Sequence, residues 1–290
     1  MMDGVFNVLK PPGMTSHDVV AVLRRVLRTK KVGHGGTLDP DAAGVLPVFA
    51  GSATRLIEYI VAGKKSYIAE FLLGVSSDTG DDSGHIEAKL PYSKVDEAVL
   101  RRVLTGFVGK QLQIPPMYSA VKVGGRRLYQ MAREGLEIER TPRAIEIYKL
   151  ELLNFTSNSF TVCIECSKGT YIRVLGEDIA SRLGTFAVMS FLLRTSVGPF
   201  EIEKASTIQE IAACPSKCMQ DIALAVDHMP KLRVNEKQAF RITQGVRTTV
   251  QGTTPGRYAL LGPGDCFLGI VCCKDSLVYA EKIIQHYHVT

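Results

Sequence analysis

The sequence predicts an α+β fold that continues into a smaller, β-rich C-terminal module. Three observations support this prediction. Residues 64–74 and 143–152 alternate apolar and polar side chains, which is typical of half-buried strands. Residues 17–27 place apolar side chains three and four positions apart, which is typical of an amphipathic helix. Residues 232–290 contain several short strand-like runs separated by Gly-Pro turns.

Composition limits the classes of function. The chain has 290 residues, of which 46% are hydrophobic and 22% charged, as in soluble globular proteins. It contains neither an apolar run of 18 residues nor a signal peptide, so we expect a cytoplasmic protein without membrane association. The net charge of +6 is compatible with a polyanionic partner but equally with a solvated surface.

The seven cysteines argue against a disulfide framework, because their number is odd and they are scattered along the chain. Cys163 and Cys166 form the one CxxC pair, and no second pair or histidine motif accompanies it. We therefore expect no zinc site, and no other metal site.

The chain opens with a predicted strand, Gly4–Lys10, which ends at a Pro-Pro-Gly run. Ser16 is a suitable N-cap for the helix predicted over residues 17–27. Arginines near the end of that helix favour its dipole. The helix leads directly into the most distinctive segment of the sequence.

That segment, residues 31–48, reads KVGHGGTLDPDAAGVLPV. Its glycines allow positive φ angles or a close approach of the backbone to a ligand. Pro40 biases the preceding Asp39 away from helix, and the apolar run 44–50 predicts a buried strand. A carboxylate held on such a loop suits a nucleophile or a base. The alternative is that Asp39 merely caps a turn.

A helix is predicted over residues 52–60, followed by the strand 64–74, which contains Tyr67. From its spacing alone, Tyr67 is a core aromatic residue. Residues 76–84 spell the aspartic-protease triplet twice, as DTG and DSG. Such a catalytic pair needs loops from two separate lobes, so we interpret this segment as a surface turn.

Residues 111–143 are rich in proline, glycine and basic side chains, with tyrosines interleaved. Basic side chains suit RNA phosphates and aromatic rings suit unpaired bases. The candidate phosphate contacts are Lys122, Arg126, Arg127 and Arg133. On charge alone, a solvated excursion explains this segment equally well.

Strands are predicted over residues 143–152 and 159–167, and a helix over 174–183. A glycine turn at residues 168–169 follows the second strand and leads to Tyr171 and Arg173. We expect these two side chains to point to the same side, because they are two residues apart in extended backbone.

Several of these segments resemble motifs of the TruB family of tRNA pseudouridine synthases. The matching patterns are KPxGxTSHDVV, GHxGTLDPxAxGVLP, KxYxxxxxLG, PPMYSAxKxxGxRLYxxAR and SKGTYIRxLxxDI, spread over residues 4–200. Two departures are visible. Gly35 stands where the family often has Thr, and Leu193 replaces the first arginine of an LRRT motif.

The resemblance implies a pseudouridine synthase fold with a central mixed, largely antiparallel sheet flanked by helices and loops. It implies a catalytic domain over residues 1–229, in which the insertion at about 111–143 grips the T arm of tRNA. A small PUA-like RNA-binding domain is expected over residues 230–290. We expect a monomer without an obligate protein partner.

The implied reaction is isomerisation of the uridine at position 55 of the tRNA T loop to pseudouridine, after the base has been flipped into the site. It requires no cofactor. Asp39 is the implied nucleophile, and its attack on ribose carbon 1′ or on the uracil ring stays open. The implied substrate-binding residues are His34 in the space the base vacates, Tyr67 on the base, Arg173 paired with Asp39, and Tyr171 and Leu192 lining the uracil pocket.

Two other classes of function are compatible with parts of the sequence. A non-catalytic RNA chaperone would use the basic segment and the C-terminal module but not Asp39. A glycosidase would need a second carboxylate facing Asp39, and Asp41 is the nearest in sequence. No other motif supports the glycosidase.

Overall fold

The computed structural model describes residues 2–61, 63–89 and 95–287. The chain divides into two compact units. The first unit comprises Met1–Pro40, Val45–Val61 and Val197–Thr290, and the second comprises Asp41–Gly44 and Ala62–Ser196. The boundary predicted at residue 229 stays a prediction.

Helices and strands alternate irregularly along the described residues. The helices are α1 (Ser16–Val26), α2 (Ile57–Val61), α3 (Glu97–Thr105), α4 (Leu128–Arg133), α5 (Ile172–Arg182), α6 (Ile208–Ala213), α7 (Pro215–Cys218) and α8 (Glu236–Thr243). The strands are β1 (Gly4–Lys10), β2 (Val32–His34), β3 (Ala43–Ala50), β4 (Lys65–Leu73), β5 (Val75–Ser77), β6 (Ile86–Lys89), β7 (Gly109–Gln113), β8 (Lys122–Val123), β9 (Arg126–Arg127), β10 (Arg143–Phe155), β11 (Ser159–Cys166), β12 (Ala187–Val197), β13 (Phe200–Glu201), β14 (Met219–Gln220), β15 (Lys231–Arg233), β16 (Thr248–Thr249), β17 (Gly256–Leu261), β18 (Phe267–Lys274) and β19 (Leu277–Ile283).

In the first unit, β1 lies between β14 and β3, and β2 forms an antiparallel hairpin with β3. Strands β1 and β3 are almost wholly buried. Helix α1 buries Val19 and Leu23 in a core that also contains Phe6, Val8 and Leu46. This packing explains why the helix shows apolar residues on one face only.

A second sheet in the first unit has the strand order β15-β17-β18-β19-β16, with β15 parallel to β17 and the other pairs antiparallel. The predicted β-rich C-terminal module is confirmed. Its strands contribute Phe267 and Ile270 to a core shared with Phe49, Leu56 and Ile60. The C-terminal strands and the elements next to the glycine-rich segment are therefore packed against each other.

In the second unit the strand order is β12-β4-β11-β10-β7, and the pairs β4–β11, β11–β10 and β10–β7 are antiparallel. Ala43 and Gly44 pair with Leu193 and Arg194 of β12 in parallel. The sheet is mixed and largely antiparallel, as predicted. Gly44 has φ +113°, and a Cβ there would overlap the backbone of Arg194, so this position requires glycine.

The predicted N-cap of α1 is wrong by one residue. Thr15 caps the helix, and Asp18 completes a capping box by binding the backbone N–H of Thr15 at 2.9 Å. Ser16 is the first helical residue, and its buried hydroxyl binds the backbone of Leu38 instead.

The predicted start of α5 is also wrong. The helix begins at Ile172, so Arg173 is helical and does not share an extended face with Tyr171. The reason lies outside the local sequence. Gln113 donates to the carbonyl oxygen of Tyr171 at 3.0 Å and accepts from its N–H at 2.8 Å, which fixes the residue that precedes the helix.

None of the helices in the described residues is long and apolar enough to cross a membrane.

Candidate active site

The loop that carries Asp39 leaves the β2–β3 hairpin at Gly35. The hairpin register runs from Val32 opposite Ala50 to His34 opposite Val48. Gly35 extends it, because its N–H donates to the carbonyl oxygen of Pro47 at 2.8 Å. Gly36 then turns the chain with φ +118°, an angle that favours glycine.

Ser16 holds the residue before Asp39. Its Oγ accepts a hydrogen bond from the N–H of Leu38 at 2.9 Å and donates one to the carbonyl oxygen of Leu38 at 3.1 Å. The side chain of Leu38 is buried. The position of Leu38 is therefore fixed twice, through its backbone by the Ser16 hydroxyl and through its side chain by packing.

Lys10 holds the residue after Asp39. Its ammonium group is fully buried and donates to the carbonyl oxygens of Pro11 at 2.8 Å, Met14 at 2.5 Å and Pro40 at 2.8 Å. Gly13 N–H also donates to the carbonyl oxygen of Pro40, at 3.0 Å. Sequence reasoning missed Lys10, although a lysine ending an apolar strand before a Pro-Pro-Gly turn was a visible signal.

Asp39 is thus half-buried between two immobilised neighbours. His34, also half-buried, lies at the end of β2, where its ring meets the edge of His17 with the centroids 5.4 Å apart. His17 comes from the first turn of α1, so the helix supports the position of His34. The first unit therefore holds both His34 and Asp39.

The second unit holds the other four residues predicted to bind the substrate: Tyr67, Tyr171, Arg173 and Leu192. Tyr67 lies on the buried face of β4, opposite Ile164 of β11, and Leu192 is buried on β12. Tyr171 is half-buried immediately before α5. The predicted ion pair between Arg173 and Asp39 stays a prediction.

Lys65 lies two residues before Tyr67 on the same buried face of β4. Burial, reinforced by the positive charge of Arg194, lowers the pKa of Lys65 to about 8. Arg194 is itself almost completely buried. Lys65 and Arg194 are therefore two buried basic groups that sequence reasoning missed.

Arg173 is held by two carbonyl oxygens and a carboxylate. It donates to Thr79 at 2.7 Å and to Tyr118 at 3.0 Å, and its guanidinium lies 3.6 Å from the carboxylate of Asp81. Because the Arg173 side chain is only 8% exposed, little solvent screens this ion pair.

Asp81 is in turn held by hydroxyl groups. Its Oδ1 accepts from Thr79 at 2.6 Å and from Ser83 at 2.7 Å. The interpretation of residues 76–84 as a surface turn is therefore wrong for part of the segment. Gly80 packs against α5, where a side chain would meet Glu177, and this contact brings Asp81 to Arg173.

In the basic segment, two of the arginines predicted to bind phosphates lie close to the ring of Tyr129. The guanidinium carbons of Arg127 and Arg133 lie 5.9 Å and 5.7 Å from the ring centroid of Tyr129. Lys122 is exposed on β8. Arg126 is exposed but paired, since it donates to both carboxylate oxygens of Glu134 at 2.5 Å and 2.6 Å.

Within residues 2–61, 63–89 and 95–287, no group of three or more His, Cys, Asp or Glu side chains is arranged to hold a metal ion.

The chain matches the model of the family described as TruB family pseudouridylate synthase (N terminal domain) over residues 24–172. It is 47% identical over 253 residues to a tRNA pseudouridine synthase B from Symbiobacterium thermophilum, covering 86% of this chain and 84% of the relative. A protein of the same name from Dehalococcoides mccartyi is 42% identical over 276 residues, covering 93% of this chain and 92% of the relative.

Solved structures also resemble this fold. A crystal structure of a Cbf5-Nop10-Gar1 complex contains a chain that matches with a TM-score of 0.78 and 27% identity. The match covers 98% of this chain and 85% of that chain. An H/ACA RNP bound to a substrate RNA containing 2′-deoxyuridine matches with a TM-score of 0.77 and 26% identity, covering 97% of this chain and 85% of that one.

Proposed function

The chain belongs to the TruB family of pseudouridine synthases, and from that premise we propose that it isomerises uridine 55 in the T loop of tRNA to pseudouridine, with Asp39 as the nucleophile. The relatives that are 42–47% identical over most of the chain carry the name tRNA pseudouridine synthase B, which supports tRNA as the substrate.

The observation that carries the proposal is the way Asp39 is held. Ser16 fixes Leu38 on one side, and Lys10 fixes Pro40 on the other. A nucleophile must be kept in line with the atom it attacks, and a misplacement of about 1 Å can cost about a hundredfold in rate. A carboxylate that merely caps a turn needs no such support on both sides.

In the proposed reaction, the bond between N1 of uracil and C1′ of ribose breaks, and a bond between C5 and C1′ forms. Asp39 attacks either C1′ or the uracil ring, and is released when the C5–C1′ bond is complete. The proton on C5 leaves, and N1 ends with a proton, so that atoms and electrons balance. The product is an isomer of the substrate, and no cofactor takes part.

The other residues bind and orient the substrate. Tyr67 packs against the flipped base and assists removal of the C5 proton, and Tyr171 and Leu192 line the uracil pocket. His34 occupies the space that the base leaves in the T loop. Arg173 pairs with Asp39, and Asp81, whose carboxylate lies 3.6 Å from the guanidinium, orients Arg173.

RNA binding falls to two regions. The segment 111–143 contacts the T arm, with phosphates bound by Lys122, Arg127 and Arg133 and, once it is released from Glu134, by Arg126. Residues 230–290 act as a PUA-like RNA-binding domain. The protein acts as a monomer in the cytoplasm.

The test is incubation of an unmodified tRNA transcript with the wild type and with Asp39→Asn, reading pseudouridine by carbodiimide treatment and primer extension. We expect one stop, at position 55, with the wild type and none with the variant, although the variant still binds tRNA. Asp41→Asn is the matched control, because Asp41 is exposed and lies just beyond Pro40. It should retain activity.

Each other outcome would contradict part of the proposal. Binding without product from either protein would favour the RNA chaperone. Product from Asp39→Asn would assign the nucleophile to another carboxylate. A stop elsewhere in the tRNA would refute position 55 while leaving the reaction intact.

A further inference from the structure

Gly35, where the sequence departs from the family pattern, lies against the side chain of Ile60. A Cβ at Gly35 would lie 2.6 Å from Cγ2 of Ile60 and 3.2 Å from Cε2 of Phe49. The φ angle of Gly35 lies outside the left-handed region. Glycine is therefore required here for space and not for backbone conformation.

Ile60 cannot easily give way. It is 1% exposed and belongs to the core that contains Phe49 and Leu56. Its Cγ2 is attached directly to Cβ, so the methyl group cannot move without rotating a β-branched side chain in a close-packed interior. The other end of the side chain packs beside Gly198, where an added Cβ would lie only 3.0 Å from Cδ1.

This contact lies at the start of the Asp39 loop. The N–H of Gly35 is hydrogen-bonded to the carbonyl oxygen of Pro47. Only Gly36 and Thr37 separate Gly35 from Leu38, whose backbone is hydrogen-bonded to Ser16. So short a connection cannot absorb a shift of Gly35 without moving Leu38 or breaking its hydrogen bonds. A displacement at Gly35 is therefore passed on to Asp39.

We propose that Gly35 and Ile60 form a positioning pair. The Cγ2 methyl of Ile60 packs against the backbone of Gly35, and this contact determines the position at which the Asp39 loop leaves the β2–β3 hairpin. The inference rests on the proposed function. It also accounts for the departure from Thr at this position, because in this chain Ile60 occupies the space that a side chain at residue 35 would need.

The test compares Gly35→Ala, alone and combined with Ile60→Ala or with Ile60→Val, by measuring kcat and KM for pseudouridine formation in the T loop. Alanine removes Cγ2 from residue 60, whereas valine keeps both branches on Cβ and loses only Cδ1. We expect Gly35→Ala to lower kcat by about 10- to 100-fold with little change in KM. Ile60→Ala should restore kcat to within about 5-fold of the wild type, and Ile60→Val should not.

Thermal unfolding of all variants separates positioning from loss of fold. A drop in kcat at a temperature where Gly35→Ala is fully folded supports the pair. Wild-type kcat in Gly35→Ala, equal rescue by Ile60→Val and Ile60→Ala, or a loss confined to KM would each overturn it. If the wild type itself forms no pseudouridine, the proposed function fails, and that result is distinct from these.

Discussion

The ammonium group of Lys10 donates a 2.8 Å hydrogen bond to the carbonyl oxygen of Pro40 from a side chain with no solvent exposure. The strand that begins the fold thus reaches the residue next to the proposed nucleophile. Two further carbonyl oxygens share this ammonium group, so it closes the Pro-Pro-Gly turn as well as the Asp39 loop.

Lys10→Met should therefore reduce both stability and activity. The substitution keeps the aliphatic length but leaves three carbonyl oxygens without this donor, and hydrogen bonds to charged groups contribute about 1.5–3 kcal/mol each. We expect a loss of more than about 3 kcal/mol in the free energy of unfolding, measured in urea, and a fall in kcat of about tenfold or more. Lys64→Met, at an exposed lysine, is the control. An unchanged kcat in a folded Lys10→Met protein would contradict this view of the loop.

Thr15 and Ser16 allow effects on stability to be separated from effects on kcat, because their adjacent hydroxyl groups bind different parts of the structure. Thr15→Ala removes the helix cap and should lower the free energy of unfolding by about 1 kcal/mol while kcat is kept. Ser16→Ala removes both hydrogen bonds to the backbone of Leu38 and should lower kcat by about tenfold. Urea unfolding and single-turnover rates distinguish the two variants. Equal effects on kcat would mean that the hydroxyl of Ser16 does not position Asp39.

Asp81→Asn should weaken the support of Arg173. The amide keeps the size of the carboxylate but loses the charge that lies 3.6 Å from the guanidinium in a poorly exposed site. We expect a fall in kcat of about tenfold with binding of tRNA largely preserved. Asp82→Asn is the matched control, since Asp82 is exposed and adjacent in sequence. A loss of the same size in both variants would show that the loop, and not the Asp81 charge, matters.

Lys65 should make stability depend on pH in the alkaline range. Its pKa is lowered from 10.5 to about 8 in the folded protein, chiefly by burial. Below pH 8 both states carry the proton and the folded state bears the full cost of the buried charge. Above pH 8 the folded state loses the proton of Lys65 while the unfolded state keeps it. The free energy of unfolding therefore rises with pH until about pH 10.5.

Lys65→Met provides the comparison. The variant should gain stability relative to the wild type at pH 7, and that difference should shrink by about 2 kcal/mol between pH 8 and 9.5, because one pKa unit corresponds to about 1.4 kcal/mol. Urea unfolding at several pH values measures it. A difference that does not change with pH would mean that Lys65 titrates normally in the folded protein.

Local sequence signals were sufficient for much of this structure. Strand β1 was predicted with its observed bounds, and the alternation in β4 and β10 identified the central strands. The failures came from contacts distant in sequence. The start of α5 depends on Gln113, and the role of Ser16 depends on Leu38, which lies 22 residues away. Neither Gln113 nor Leu38 can be recognised as a partner from the sequence pattern around α5 or Ser16.

The candidate site follows the same division. The glycines and Pro40 mark the Asp39 loop in one short stretch of sequence, and the resemblance to the TruB family implies Asp39 as the nucleophile, which stays a prediction. Lys10 and Asp81 were missed because each acts on a segment with which it shares no motif, Lys10 on Pro40 and Asp81 on Arg173. Similarly, the charge of Arg126 predicted a phosphate contact, but only the structure revealed its pairing with Glu134.

That pairing leads to a prediction about RNA affinity. Glu134 occupies Nη2 of Arg126 and neutralises its charge, so a phosphate that binds Arg126 competes with this carboxylate. Because both side chains are about half exposed, the pair itself contributes little to stability. Glu134→Gln should therefore leave the free energy of unfolding nearly unchanged and tighten tRNA binding several-fold at low salt.

Salt titration of tRNA binding measures this effect. Each phosphate contact steepens the fall of log affinity with log salt by slightly less than one, about 0.7 for single strands and about 0.9 for B-form DNA. Arg133→Ala should lower that slope by nearly one, and Arg126→Ala should lower it less in the wild type than in Glu134→Gln, where Arg126 is released. If Arg126→Ala has the same effect in both backgrounds, Glu134 does not compete with the RNA, and the ion pair only shapes the segment around α4.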